Sequence, residues 1–183
     1  MTIAELCDRA EFDEETRALA APDMPVRAYV EQLAATGRLR EAAGALAHLL
    51  PKKEAIGWGL ESIRRVPAAT EKRGAEDTIK AVEDWLGGAD DAKRRAALQA
   101  AEQTGIGTPA GCLGLAVFLS GGSIAPPDTP VAPEPEPHLS AKMVAGAMSM
   151  AVALDPQNAL KHFRSFVDRG FQIAENEKIW EET

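Results

Sequence analysis

Apolar side chains recur every three to four residues along most of the chain, which is the spacing of one face of an α-helix. Two such stretches lie between residues 26 and 50, and Gly37 separates them. Their periodic residues are Val26, Tyr29, Val30, Leu33 and Ala34, then Leu39, Ala42, Ala43, Leu46 and Leu50. Because glycine is a common helix C-cap, the pattern predicts two helices with a break at Gly37.

Three further helices are predicted from periodicity and end signals. Pro51 cannot continue the preceding helix but suits the first turn of a new one, which we expect to reach about Val66. The next helix ends at Gly87-Gly88, and Asp90 caps an Ala-rich helix that ends near Gly105. The short connections predict that sequential helices pack antiparallel.

The segment from Ala110 to Ser120 is apolar nearly all round, and it follows Thr108-Pro109, a cap and a proline at the first helical position. A helix that is apolar on every side belongs at the centre of a domain. A buried strand over Leu113 to Leu119 is the alternative, since a short apolar run is ambiguous by period alone. The cap and the helical neighbours favour the helix.

Six prolines between Pro126 and Pro137 change the composition sharply and favour extended geometry. At about 3.1 Å per residue, this connector could span roughly 35 Å. It is therefore either a strap across the domain or a flexible linker. Beyond it, Ser140 is the predicted cap of a helix that reaches Leu154, and Asp155-Pro156 opens a last long helix. Leu160, Phe163, Val167, Gly170 and Phe171 share one face of that helix, and the pattern leaves open whether Gly170 ends it.

Composition supports an all-α fold, because Ala makes up about a fifth of the chain and loses no side-chain entropy in a helix. We expect one domain of seven to nine helices, arranged as a bundle or a short α-solenoid. Its predicted parts are an acidic N-terminal segment (1–24), a helical core (25–125), the proline-rich connector (126–138) and C-terminal helices packed on the core (139–183).

The net charge of −8 opposes binding to nucleic acids and to anionic membranes. The first residues do not resemble a signal peptide, and the longest apolar stretches are shorter than the roughly 20 residues that cross a bilayer. Cys7 and Cys112 have no CxxC spacing, and the three histidines have no HExxH motif. We therefore expect a cytoplasmic protein with reduced thiols, no metal and no cofactor.

One glycine-rich turn, Gly105 to Cys112, could carry chemistry, because it leads into a helix start whose amides attract anions. Gly107, Thr108, Gly111 and Cys112 are the candidate anion-binding residues, and Cys112 could be an activated thiol. However, the glycine spacing does not match a dinucleotide fingerprint, and a Gly-Lys-Ser/Thr phosphate loop is absent. An anion binder or an enzyme that uses this turn is the alternative function.

The leading prediction is a non-enzymatic protein-interaction module, an adaptor or chaperone-like factor, since no coherent catalytic constellation is visible. Tryptophans are large amphipathic anchors that serve cores and interfaces, and an exposed proline segment can contact a partner. The candidate partner-binding residues are Trp58, Trp85, Pro130, Pro133, Pro135 and Trp180.

Five segments resemble a bacterial family of uncharacterised all-helical proteins. They are Leu49–Gly59 (LLPKKEAIGWG), Ala81–Trp85 (AVEDW), Gly107–Gly111 (GTPAG), Ser120–Pro127 (SGGSIAPP) and Pro137–Lys142 (PHLSAK). The resemblance covers about Pro25 to Trp180 and carries no catalytic residue. It implies an accessory role near type VI secretion and its effector-loading adaptors, with a secretion component or cargo as partner.

Overall fold

Ten α-helices follow one another in the part of the chain that the computed structural model describes, residues 1–71, 73–126, 129 and 133–181. They are α1 (Ile3–Arg9), α2 (Glu14–Arg17), α3 (Val26–Ala35), α4 (Leu39–Leu49), α5 (Lys52–Arg64), α6 (Ala75–Gly87), α7 (Asp91–Thr104), α8 (Pro109–Phe118), α9 (Leu139–Ala153) and α10 (Ala159–Asn176). Short 3₁₀ turns occur at Pro67–Ala69, Pro156–Asn158 and Ile179–Glu181. No strand occurs within these ranges, and the predicted all-α class is confirmed.

Several helix ends lie where local signals predicted them. The Asp90 side chain accepts a hydrogen bond from the Lys93 amide at 2.8 Å, and Thr108 Oγ1 accepts one from the Gly111 amide at 3.1 Å. Gly37 separates α3 from α4 with a φ of +83°, a left-handed conformation that glycine adopts without strain.

Two predicted side-chain caps, at Ser140 and Asp155, do not form. Ser140 is buried, and its hydroxyl donates to the Ala116 carbonyl of α8 at 2.8 Å. Helix α9 begins at Leu139 with His138 as its N-cap, two residues before the predicted cap. Asp155 is the N-cap of a 3₁₀ turn that leads directly into α10, as predicted, but it forms no side-chain cap, and its carboxylate contacts His162 Nε2 at 2.8 Å. In both cases the side chain bonds a more distant partner instead of a free amide at the helix start. Gly170, which the sequence left undecided, lies inside α10.

Helix α8 lies at the centre of a helical bundle. Every residue of α8 except Leu115 is buried, and the helix packs against α5, α6, α7 and α9. Helix α9 also contacts α4 and α5, and α10 packs on α4. Because these contacts join helices that are distant in sequence, the arrangement is a bundle and not a linear solenoid. The strand alternative for Leu113 to Leu119 is excluded.

Residues 1–24, predicted as a separate acidic segment, contribute to the same core. Leu6 and Cys7 of α1 are buried, and α1 packs on α4. The Tyr29 hydroxyl of α3 donates to the Thr16 carbonyl at 2.9 Å, which ties α2 to the bundle.

Candidate functional site

Two of the three tryptophans are core residues. Trp58 is 1% exposed and Trp85 is 6% exposed. The Trp58 indole N–H donates to the Phe166 carbonyl at 3.0 Å, so its polar atom is satisfied inside the protein. The partner-contact role predicted for Trp58 and Trp85 therefore does not fit their positions, because neither ring is available at the surface.

Trp180 is half-buried beside α10. Its ring centroid lies 6.1 Å from that of Phe171, and the Arg27 guanidinium of α3 lies 5.8 Å from the Trp180 ring. Trp180 thus connects the end of the described chain to α3 and α10. Of the three tryptophans, it alone keeps a partly exposed ring.

The described part of the proline segment lies on the domain. The Ile124 amide donates to the Pro133 carbonyl at 2.9 Å, and Pro135 is buried while Pro133 is exposed. This arrangement favours the strap over the flexible linker for residues 133–138. Pro130, the third proline predicted to contact a partner, lies outside the described residues.

The Gly105 to Cys112 turn folds tightly onto the start of α8. Thr108 Oγ1 caps the Gly111 amide and donates to the Gly105 carbonyl at 2.8 Å. A Cβ at Gly111 would lie 2.1 Å from the Gly105 carbonyl oxygen, so only glycine fits there. Gly107 is exposed at the tip of the turn. The start of α8 therefore already faces two oxygen acceptors of the protein, the Thr108 hydroxyl and the Gly105 carbonyl. Because these oxygens occupy the place of an anion, the geometry does not favour the predicted anion site.

Cys112 is buried and is not an activated thiol. Its Sγ donates to the Met143 carbonyl at 3.2 Å, and burial raises the pKa of the thiol to about 11. A nucleophilic cysteine needs a pKa below its usual range, so this residue does not support the enzyme alternative.

The described surface contains an apolar groove at the start of α10. Its lining residues are Gly37, Leu39, Arg40, Glu41, Ala159, Leu160 and Phe163, and its volume is about 240 Å³. We call this site the α10 groove. Leu39 is buried at its base, Phe163 is half-buried, and Leu160 is 70% exposed at its edge.

The sequence placed Leu160 on one apolar face of the last helix together with Phe163 and Val167, and Leu160 is the exposed member of that face. The fully buried residues of α10 begin at Phe166. In the first turns of the helix, Ala159 and Phe163 are partly buried against the core, whereas Leu160 is exposed. Periodicity identifies the apolar face of a helix, but only the tertiary structure shows where the packed surface ends.

Two cationic residues of α10, Lys161 and Arg164, are neighbours of Leu160 on the helix, although neither lines the α10 groove. Arg164 lies one turn after Leu160, on the same face of α10, and both Arg164 and the neighbouring Lys161 are exposed. Neither forms an ion pair with any described residue. Arg40, on the opposite wall, pairs with Glu41 at 3.2 Å.

Neither a metal-binding cluster nor a membrane-spanning helix occurs in the described ranges. No group of three His, Cys, Asp or Glu side chains there is arranged to hold a metal ion. None of the described helices is both long enough and apolar enough to cross a membrane.

The fold and the groove define an all-α bundle with a small apolar surface site. The sequence model of a family of unknown function, DUF6931, matches residues 29–174. The chain therefore belongs to this family. No match was found among curated proteins or among solved structures.

Proposed function

We propose that the protein is a non-enzymatic interaction module of the cytoplasm, an adaptor or chaperone-like factor that binds a partner protein at the α10 groove. The observation that carries this proposal is Leu160, which is 70% exposed beside an apolar groove. Burial of such a side chain against a partner is favourable by about 25 cal/mol for each Å² of apolar surface.

The size of the α10 groove and the charges near it support one class of partner. A volume of about 240 Å³ is too small for a whole helix, so we expect the partner to fill the groove with one apolar anchor residue. The exposed Lys161 and Arg164 favour acidic residues next to that anchor. The partner is therefore a protein segment with an apolar residue flanked by Asp or Glu.

The state of the Gly105 to Cys112 turn supports the non-enzymatic role, since its thiol is buried and protonated at neutral pH. The sequence resemblance adds a finer proposal, that the partner is a component or cargo of type VI secretion. The description of DUF6931 names no function, so the experiment must identify the partner without assuming it.

The test is affinity capture of the tagged full chain from its native cells, with quantitative mass spectrometry. Leu160→Ser is compared with Leu154→Ser, a matched control because Leu154 is 51% exposed but does not line the groove. Light scattering on each purified variant checks that the fold and oligomeric state are unchanged.

The proposal predicts a stoichiometric partner that Leu160→Ser loses and Leu154→Ser retains. The partner, once purified, should bind the wild-type chain directly, and its binding segment should contain an acidic and apolar sequence. A partner that both variants retain equally would contradict the groove as the docking site. Absence of any stoichiometric partner would contradict the adaptor function itself.

A further inference from the structure

A second cavity, of about 240 Å³, lies where the ends of α1 and α4 meet the starts of α5 and α9. Its charged or ionisable lining residues are Arg9, His48, Lys52 and His138, one from each element or its cap. We call this cavity the basic pocket. It shares no lining residue with the α10 groove, and it is independent of the proposed function.

The charge of the basic pocket is opposite to that of the whole chain. Within the described ranges, no acidic residue lines it, although the net charge of the protein is −8. Glu11, which is close enough to influence His138, is bonded to Lys142 Nζ at 2.6 Å. Lys142 therefore offsets the charge of Glu11, and the described lining of the pocket itself carries no acidic side chain.

Most donors in the basic pocket remain available. Arg9 makes no hydrogen bond or ion pair with any described residue. Lys52 Nζ donates to the Ser120 carbonyl at 2.7 Å, which leaves two of its three protons for a ligand. Arg9 is exposed and His48 is half-buried, so the pocket has a charged mouth and a partly desolvated base.

The starts of α5 and α9 add partial positive charge. Pro51 and His138 occupy the N-cap positions, and in the described structure neither provides a side-chain cap. The first amides of a helix have no partner within that helix, and the helix dipole places positive charge at this end. Residues of both first turns line the cavity, among them Lys52, Ser140 and Ala141.

The side chains around His48 disfavour a further positive charge. Burial, together with the nearby His138, Lys142 and Arg9, lowers the pKa of His48 to about 4. An anion in the cavity would reverse this effect, because it would stabilise the protonated imidazole.

We propose that the basic pocket binds a phosphate group, either free or carried by a small phosphorylated molecule. Donors approach from four elements, which matches the several oxygens of a tetrahedral phosphate better than the two coplanar oxygens of a carboxylate. Arg and Lys side chains and helix starts are the groups that proteins use for phosphate. The volume leaves room beyond the phosphate for part of an ester group.

The test is an NMR titration of the full chain in chloride buffer at constant ionic strength, observed at the imidazole resonances. The chain has three histidines, and His162, bonded to Asp155 outside the pocket, is an internal control. Inorganic phosphate, glycerol 3-phosphate and acetate are titrated separately. The first two probes distinguish a free phosphate from a phosphorylated molecule, and acetate tests the preference over a carboxylate.

The proposal predicts saturable shifts at His48 and His138, but not at His162, with one of the two phosphate probes, and a rise in the pKa of His48. Arg9→Gln should weaken binding about tenfold, since a charged hydrogen bond is lost. Lys53→Gln removes the same charge from an exposed residue outside the lining and should change affinity by less than about twofold.

Three results would overturn the proposal. The first is a set of imidazole shifts that never saturate or that affect His162 equally. The second is an equal loss of affinity in Arg9→Gln and Lys53→Gln. The third is acetate binding as tight as phosphate binding. Because both variants replace exposed residues, neither is expected to impair folding.

Discussion

Trp58 of α5 and Gly170 of α10 lie in direct contact at the centre of the interface between these helices. A Cβ at Gly170 would lie 2.9 Å from Trp58 Cζ2 and 2.9 Å from Leu46 Cδ1. One turn earlier in α10, the Phe166 carbonyl accepts the Trp58 indole N–H at 3.0 Å. The absence of a side chain at residue 170 therefore lets α10 approach closely enough for this hydrogen bond.

Gly170→Ala should destabilise the protein. Overpacking a dense core costs about 1–3 kcal/mol, which exceeds the gain of about 1 kcal/mol from replacing glycine in a helix. Gly87→Ala is the matched control, because no described heavy atom lies within 4 Å of the Cβ it would add at the end of α6. Urea unfolding should show a lower midpoint for Gly170→Ala and an equal or higher one for Gly87→Ala. Equal midpoints would contradict the close packing at Trp58.

Arg94 is a buried charged residue, at 4% exposed, and it should contribute more to stability than its neighbour Arg95. It donates to the Phe118 carbonyl at 2.6 Å and to the Ser123 carbonyl at 2.7 Å, and its guanidinium lies 4.7 Å from the Phe118 ring centroid. Arg94→Ala leaves the Phe118 carbonyl without this donor, and it leaves the Ser123 carbonyl with only the longer hydrogen bond from Arg95, at 3.2 Å. The substitution should cost about 2–4 kcal/mol.

The matched control is Arg95→Ala. Arg95 shares the Asp91 carboxylate with Arg94, but it is more exposed and should contribute less than about 1 kcal/mol. Chemical denaturation of both variants measures the difference. A loss in Arg95→Ala as large as that in Arg94→Ala would show that the carbonyl contacts of Arg94 add little.

Cys112 should react slowly with thiol reagents in the native protein, because burial raises the pKa of its thiol to about 11. Labelling at several pH values, with the modified peptide quantified by mass spectrometry, tests this without any substitution. We expect the rate to rise with urea in parallel with unfolding. Fast native labelling with an apparent pKa below about 8.5 would restore the nucleophile hypothesis.

His48 should make the protein less stable in mild acid. Its folded-state pKa is lowered to about 4, whereas the unfolded chain titrates near about 6.5. Between these values the unfolded state binds a proton that the folded state does not. The contribution of His48 is therefore fully present above about pH 6.5 and is lost as the pH falls towards about 4, by at most about 3 kcal/mol.

Urea unfolding of wild type and His48→Gln between pH 7 and pH 4.5, in chloride buffer, measures this contribution. Carboxylates with a lowered pKa, such as Asp91 and Asp155, also lose stability in acid, but they do so in both proteins. The variant should have the shallower pH dependence. Parallel curves would show that His48 titrates normally in the folded protein.

The features that could be predicted from the sequence depend on a few neighbouring residues. Gly37, Asp90 and Thr108 mark helix ends because a left-handed glycine or a capping side chain acts within one turn. Ser140 carries the same local signal, yet it bonds to α8, because burial places its hydroxyl beside the Ala116 carbonyl. A free amide at the start of α9 and the Ala116 carbonyl are both suitable partners for this hydroxyl, and the tertiary packing selects the carbonyl.

The candidate sites were beyond sequence reasoning for the same reason. Leu160 and Val167 occupy one predicted helix face, but only Val167 is buried, since Leu160 lies outside the packed part of that face. The basic pocket is lined by Arg9, His48 and His138, which are spread over about 130 residues of sequence. No local spacing in the sequence could show that these residues lie together in the fold. The proline segment was recognised by composition, but its contact at Pro135 required the structure.

Site-specific photo-crosslinking tests the docking proposal most directly. A benzoylphenylalanine at position 160, beside the α10 groove, is compared with one at position 106, where exposed Ile106 lies in the Gly105 to Cys112 turn. We predict that irradiation of native cells links position 160 to the partner lost by Leu160→Ser and leaves position 106 unlinked. A partner linked at position 106 and not at position 160 would contradict the α10 groove as the binding site.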